Sequence, residues 1–291
     1  MPAADGIWVN GCAVAQLSAL DRGLHYGDGL FETIACTSGH ARLLDLHLER
    51  LGEGCRRLGI ELRDPGDMRR ELVALAAQAP RAVIKLLVTR GAAAARGYAV
   101  SGAESATRIV LRYPWPAEDP QLARDGVRVR TATTCLGENP ALAGLKHCNR
   151  LEQVLARREW TDPAIADSLM YSSAGALVSG TMSNVFIVRD SRLKTPRLDR
   201  CGVAGVMRRA VLQAAGVAGI AAQECTLRAA DLRSAEEIFL TNALIGIHPV
   251  REVDGAPRVA GPVTRGLQEH LARLLAEDER RRAGSAGGAL G

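Results

Sequence analysis

Pro114, Pro116 and Pro120 fall within one short stretch of the chain. Proline lacks a backbone donor and clashes with the preceding helical turn, so neither a helix nor a central strand runs through such a stretch. It divides the 291 residues into two parts of ordinary domain size. The expected organisation is an N-terminal α/β domain over 1–116 and a larger C-terminal domain over 117–283. A Gly/Ala/Ser tail is expected over 284–291.

Within the first part, residues 6–12 and 31–36 read as short strands, the second preceded by the turn chemistry of Gly27-Asp28-Gly29. Leu48, Leu51, Cys55 and Leu58 recur at helical spacing after Asp45, and Gly59 ends that helix. A second helix is expected near 67–79, with apolar strands at 82–89 and 107–113. In the second part, strands are expected near 126–133, across 168–189 and at Glu237–Leu240. A helix over 147–159 is expected to carry Leu151, Val154 and Leu155 on one face. Gly205 opens another helix, and Pro262 starts a last one with Leu267, Leu271, Leu274 and Leu275 on its inner face. So many strands exclude a helical bundle, and the class is α+β.

Hydrophobic residues at 47% provide ample core, but aromatics are only 3%, so that core is aliphatic. No run approaches the roughly 20 apolar residues of a membrane span. The first residues lack the basic-then-apolar order of a signal peptide, so a cytoplasmic protein is expected. The seven cysteines are odd in number and widely spaced, with no C-x-x-C, which argues against a disulfide framework or a metal site. The net charge of +5 is spread along the chain without aromatic interleaving. That argues against nucleic acid and for an anionic small molecule.

Of the 37 basic residues only three are lysines, Lys85, Lys146 and Lys194. Chemistry needing a primary amine therefore has three candidate side chains. Lys146, between Leu145 and His147 and near Arg150, is placed where desolvation and like charge favour the neutral amine. Such an amine attacks a carbonyl to form a Schiff base; the plainer alternative is a solvated lysine beside a helix. Lys85 lies mid-strand and Lys194 in a polar turn. Gly202–Arg208 is a glycine-bounded turn entering a helix, whose first N–H groups can hold a phosphate. Arg50 can add a bidentate contact or be a surface charge. Thr241-Asn242 offers further donors or only a strand-end turn. No G-x-S-x-G, H-E-x-x-H, P-loop or dinucleotide fingerprint occurs.

Taken together these strings are more specific. Asp21-Arg22-Gly23-Leu24-His25-Tyr26-Gly27-Asp28-Gly29-Leu30-Phe31-Glu32-Thr33 resembles the opening signature of the fold type IV pyridoxal-phosphate enzymes. That family holds the branched-chain and D-amino acid aminotransferases and aminodeoxychorismate lyase. The order continues with His47-Leu48-Glu49-Arg50-Leu51, Gly180-Thr181-Met182-Ser183-Asn184-Val185-Phe186 and Gly202–Arg208, across residues 6–275. Lys146-His147-Cys148-Asn149-Arg150-Leu151-Glu152-Gln153 and Thr241-Asn242-Ala243-Leu244 resemble the lyase members in particular.

The resemblance implies a small N-terminal α/β domain, a larger pseudo-barrel domain and pyridoxal 5′-phosphate between them. Lys146 is then the Schiff-base lysine and general base. Arg50 holds the phosphate with Gly205, Val206 and Met207, while Ser179, Asn184, Thr241 and Asn242 complete the cofactor site. The implied substrate is aminodeoxychorismate, split into 4-aminobenzoate and pyruvate for folate biosynthesis. Arg90, Arg96 and Tyr98 are the candidates for its carboxylates, and Tyr26 and Phe31 for the pocket wall. The resemblance also implies a homodimer. Alternatives are an aminotransferase of the same fold and a binding module without catalysis.

One position departs from the family. Ser179 stands where its members carry a glutamate that pairs with the pyridine nitrogen. Serine only hydrogen-bonds, so the ring is expected to be neutral and a weaker electron sink. An elimination that ends in an aromatic ring needs that sink less than transamination does, which favours the lyase.

Overall fold

A computed structural model describes residues 3–93, 96–117 and 119–287. The chain divides into two compact units, and the division is not a single cut. The first comprises residues 1–117, 146–149 and 277–291; the second comprises 118–145 and 150–276.

The first unit is built on an antiparallel sheet of β1 (Gly6–Val9), β2 (Gly29–Thr37), β3 (His40–Ala41), β4 (Arg81–Thr89) and β5 (Thr107–Pro114), in the order β1-β5-β4-β2-β3. Its helices are α1 (Arg22–Tyr26), α2 (Leu44–Leu58) and α3 (Pro65–Ala77). Strand alternation puts Leu30 and Ile34 of β2, Ile84 and Leu86 of β4, and Val110 of β5 in the core, where Leu44, Leu51 and Leu72 of the helices are also buried. α2 ends at Gly59, whose φ of 64° is the left-handed conformation that glycine adopts without penalty. At its start Leu43 is also left-handed, and its N–H is taken by the buried carboxylate of Asp278 at 2.8 Å.

The opening signature has a structural explanation. Asp21 caps α1 by accepting from Gly23 N, and its other oxygen accepts from Thr89 Oγ1 and Thr107 Oγ1 at 2.9 and 2.8 Å. One buried carboxylate thus ties α1 to β4 and β5.

The second unit contains α4 (Gln121–Asp125), β6 (Val127–Thr131), α5 (Leu151–Arg157), β7 (Ile165–Tyr171), β8 (Leu177–Gly180), β9 (Asn184–Arg189) and β10 (Arg192–Pro196). It continues with α6 (Val206–Val217), β11 (Ala222–Cys225), α7 (Ala229–Arg233), β12 (Glu237–Asn242), β13 (Gly246–Val253) and β14 (Ala256–Pro257). The main sheet runs β11-β10-β9-β12-β13-β6-β7-β8, and β8 packs back against β9 and β10, so the sheet curls. Val129, Leu169, Ile187, Leu240 and Val250 fill its core. Phe186 and Phe239 stack across β9 and β12 with centroids 4.9 Å apart. α8 (Pro262–Gly287) buries Leu267 and Leu271, with Leu274 and Leu275 half-buried. It continues beyond Gly284, where a tail was expected.

The helix expected over 147–159 is shorter. Residues 146–150 precede it, His147 bridging to Leu30, and Leu151, Val154 and Leu155 of α5 are 76%, 53% and 51% exposed. Lys194 sits on β10, not in a turn. Among the described residues no helix is long and apolar enough to cross a membrane.

Candidate active site

In the first unit, residues 146–148 lie along the free edge of β2. Phe31 N donates to Lys146 O and Cys148 N to Gly29 O, both at 2.9 Å. Lys146 is thereby fixed beside Phe31, with its Nζ 4.2 Å from the centroid of that ring. Lys85, across the sheet on β4, has its Nζ 5.4 Å from the same ring.

Next to this amine is a buried charge cluster. Glu32 of β2 is 1% exposed. It accepts from Arg50 Nε at 2.8 Å, from Arg50 Nη2, and from His47 Nδ1 at 2.7 Å. Burial would raise the Glu32 carboxyl, but the Arg50 charge and the His47 hydrogen bond outweigh it and hold it at about 2. Burial also pushes His47 below its ordinary value, against the pull of Glu32, and the Arg50 and Lys146 charges add to the fall. The carboxylate grips the guanidinium in a fork, so Arg50 is pre-oriented. Glu32 and His47 lie in the recognised strings, yet sequence reasoning gave neither a role. The available signal was a carboxylate at a core-facing register between Leu30 and Ile34.

Arg90 is placed differently from expectation. Its guanidinium donates to Asp28, to Gly59 O and to Leu58 O, the last two at 2.7 Å. It closes the C-terminus of α2 and has a structural role. Tyr26 lies 5.3 Å, centroid to centroid, from Tyr98, which is 84% exposed. Arg96 is exposed.

In the second unit, Ser179 is 8% exposed and its Oγ donates to Gly180 O at 2.8 Å. The following turn is organised by Asp167, 2% exposed, which the sequence reading missed. Asp167 Oδ1 accepts from Thr181 N and Thr181 Oγ1 at 2.9 and 2.5 Å, and Oδ2 accepts from Ser183 Oγ at 2.6 Å. Asn184 donates to Val203 O at 2.9 Å. Gly205 stands at the N-cap of α6 with no side-chain cap, so the first N–H groups of that helix, at Val206 and Met207, have no intrahelical acceptor. Thr241 Oγ1 donates to Gly246 O at 2.6 Å, and Asn242 Oδ1 accepts from Leu244 N and Ile245 N. Both side chains therefore shape their own turn.

A Cβ on Gly205 would stand 2.0 Å from Asn184 Oδ1. Gly205→Ala is expected to destabilise the protein by about 1–3 kcal/mol through this overpacking. Thermal unfolding checks it, with Gly216→Ala, where a Cβ meets nothing within 4 Å, as the control.

The sequence profile of amino-transferase class IV matches residues 29–253. The chain belongs to the class IV aminotransferase family. A Vibrio harveyi aminodeoxychorismate lyase is 34% identical over 268 residues, covering 91% of this chain and 98% of its own length. The crystal structure of 4-amino-4-deoxychorismate lyase from Pseudomonas aeruginosa superimposes with a TM-score of 0.88 at 48% identity, covering 91% of this chain and 97% of that one. A branched-chain amino acid aminotransferase structure from Escherichia coli gives a TM-score of 0.82 at 25% identity, covering 94% and 95%. The fold is that of the fold type IV enzymes, and the family's cofactor is pyridoxal 5′-phosphate. The residues present suit it. Within the first unit, the arginine oriented by Glu32 is a group of the kind that can take a phosphate, and the lysine against an aromatic face is one that can take an aldehyde. Within the second, the helix N-terminus at Gly205 can take a phosphate.

Proposed function

We propose that this class IV enzyme is an aminodeoxychorismate lyase that forms 4-aminobenzoate and pyruvate. The observation that carries the reading is the 48% identity to a lyase of known structure over 91% of the chain. Ser179, in place of the family glutamate, points the same way.

Pyridoxal phosphate, when bound, supplies the electron sink that makes the C–H bond beside the substrate nitrogen acidic. Lys146 would hold it through Nζ, and Arg50 and the N–H groups of Val206 and Met207 are the groups that would take its phosphate. Lys146 would also be the base that takes the proton from the substrate ring carbon that bears nitrogen. The C–O bond to the enolpyruvyl group breaks, the ring becomes aromatic, and enolpyruvate leaves to become pyruvate. Arg96 and Tyr98 meet the substrate carboxylates, and Tyr26 and Phe31 wall the pocket. The Ser179 hydroxyl donates to Gly180 O, and, carrying no charge, it would not hold a proton on the pyridine nitrogen as a carboxylate does.

The enzyme works as a homodimer in the cytoplasm. The exposed apolar face of α5, formed by Leu151, Val154 and Leu155, supports self-association. The expected result is 4-aminobenzoate from aminodeoxychorismate, followed by its fluorescence. Aminotransferase relatives support the alternative, among them a Bacillus licheniformis D-alanine aminotransferase at 26% identity. Keto acid release from D-alanine or branched-chain amino acids without 4-aminobenzoate would decide for it.

A further inference from the structure

Arg22 is 4% exposed, although it opens a helix at the surface end of the signature. Its guanidinium reaches the loop that follows β4 and gathers three successive carbonyls. Nη1 donates to Gly97 O and Ala99 O at 3.1 and 3.3 Å, and Nη2 donates to Tyr98 O at 3.1 Å. Nε donates to Asp28 Oδ2 at 2.9 Å. Asp28 is in turn gripped by Arg90, whose remaining contacts are the last carbonyls of α2. The loop is therefore anchored through two arginines and one carboxylate to the sheet and a helix. Its own side chains bury little: Arg96, Tyr98, Ala99 and Val100 are all exposed. The Tyr98 ring rests against Tyr26, and the Arg22 guanidinium lies 5.0 Å from the centre of that same Tyr26 ring.

We propose that Arg22 is a positioning residue that sets the place of Tyr98, and so the affinity for substrate, by clamping the carbonyls of residues 97–99. This rests on the reading that Tyr98 meets the substrate. A loop with few buried apolar contacts depends on its polar anchors, and a planar fork spans several acceptors where an ammonium offers one point charge.

The test uses the cofactor-loaded enzyme with Arg22→Lys, Tyr98→Ala and the double variant. Arg22→Lys is expected to raise KM about tenfold while kcat changes less than about twofold. Hydrogen exchange in the peptide covering 96–100 speeds up, and the cofactor absorption is unchanged. Tyr98→Ala, a change at an exposed side chain that leaves the fold intact, raises KM similarly, and the double variant adds little more. Unchanged exchange in Arg22→Lys overturns the clamp. Unchanged KM in either single variant, or fully additive effects, overturns its role toward substrate. If the wild type releases keto acid rather than 4-aminobenzoate, the lyase reading fails, and the same KM comparison with the amino acid still decides the role of Arg22.

Discussion

Replacing Lys146 with alanine is expected to lower 4-aminobenzoate formation by about 10³-fold or more, since a positioned general base alone contributes about 10²–10⁴. Two amines flank the Phe31 ring, Lys146 at 4.2 Å and Lys85 at 5.4 Å, so Lys85→Ala is the necessary control. The segment 146–148 is held by two backbone hydrogen bonds to β2, one of them through Lys146 O, and Lys146 lies beside the Arg50 cluster, whereas Lys85 projects from the middle of β4. Lys85→Ala is therefore expected to retain most of the activity. Borohydride reduction of the loaded enzyme followed by peptide mapping is expected to label Lys146. Equal losses in the two variants, or a label on Lys85, would reverse the assignment.

Glu32→Gln is expected to destabilise the protein by about 3–5 kcal/mol, read from urea unfolding. The carboxylate it removes is the buried partner of both Arg50 and His47. An amide cannot accept from both partners on two charged oxygens, and its NH₂ group meets a donor. The same cluster sets the acid limb of stability. Glu32 sits at about 2 in the fold against 4.5 ordinarily, so its contribution is complete above pH 4.5 and is lost as pH falls toward 2. His47 is lowered from 6.5, so below that pH the unfolded chain takes up a proton that the fold resists, and stability again falls toward acid. Glu32→Gln is expected to flatten the limb between pH 4.5 and 2 while the wild type keeps falling. A variant with the wild-type acid limb would show that Glu32 is not strongly ionised in the fold.

Local chemistry was legible where it acts over a few residues. Gly59 ends α2 as glycine does, Pro262 begins α8, and β2, β4 and β5 are found where apolar β-branched runs place them. Pairings across long separations were not. Arg90 looked like a substrate ligand because it follows a strand beside glycines. Nothing nearby in sequence shows that Asp28 and the end of α2 take up its donors. The periodicity of Leu151, Val154 and Leu155 marks an apolar stripe correctly, but a stripe does not say whether the chain itself covers it. Asp167 was missed because its partners, Thr181 and Ser183, are brought to it by the pairing of β7 with β8.

The patchwork make-up of the first unit bears on how the chain is made. The β2 edge is completed only by residues 146–148, and α2 receives its capping carboxylate only from Asp278. A nascent chain that has emerged as far as the proline-rich stretch therefore holds an open sheet edge and an unfinished helix start. Such an edge is a template for pairing with other chains. This unit, though translated first, is completed last, after the second unit has been synthesised.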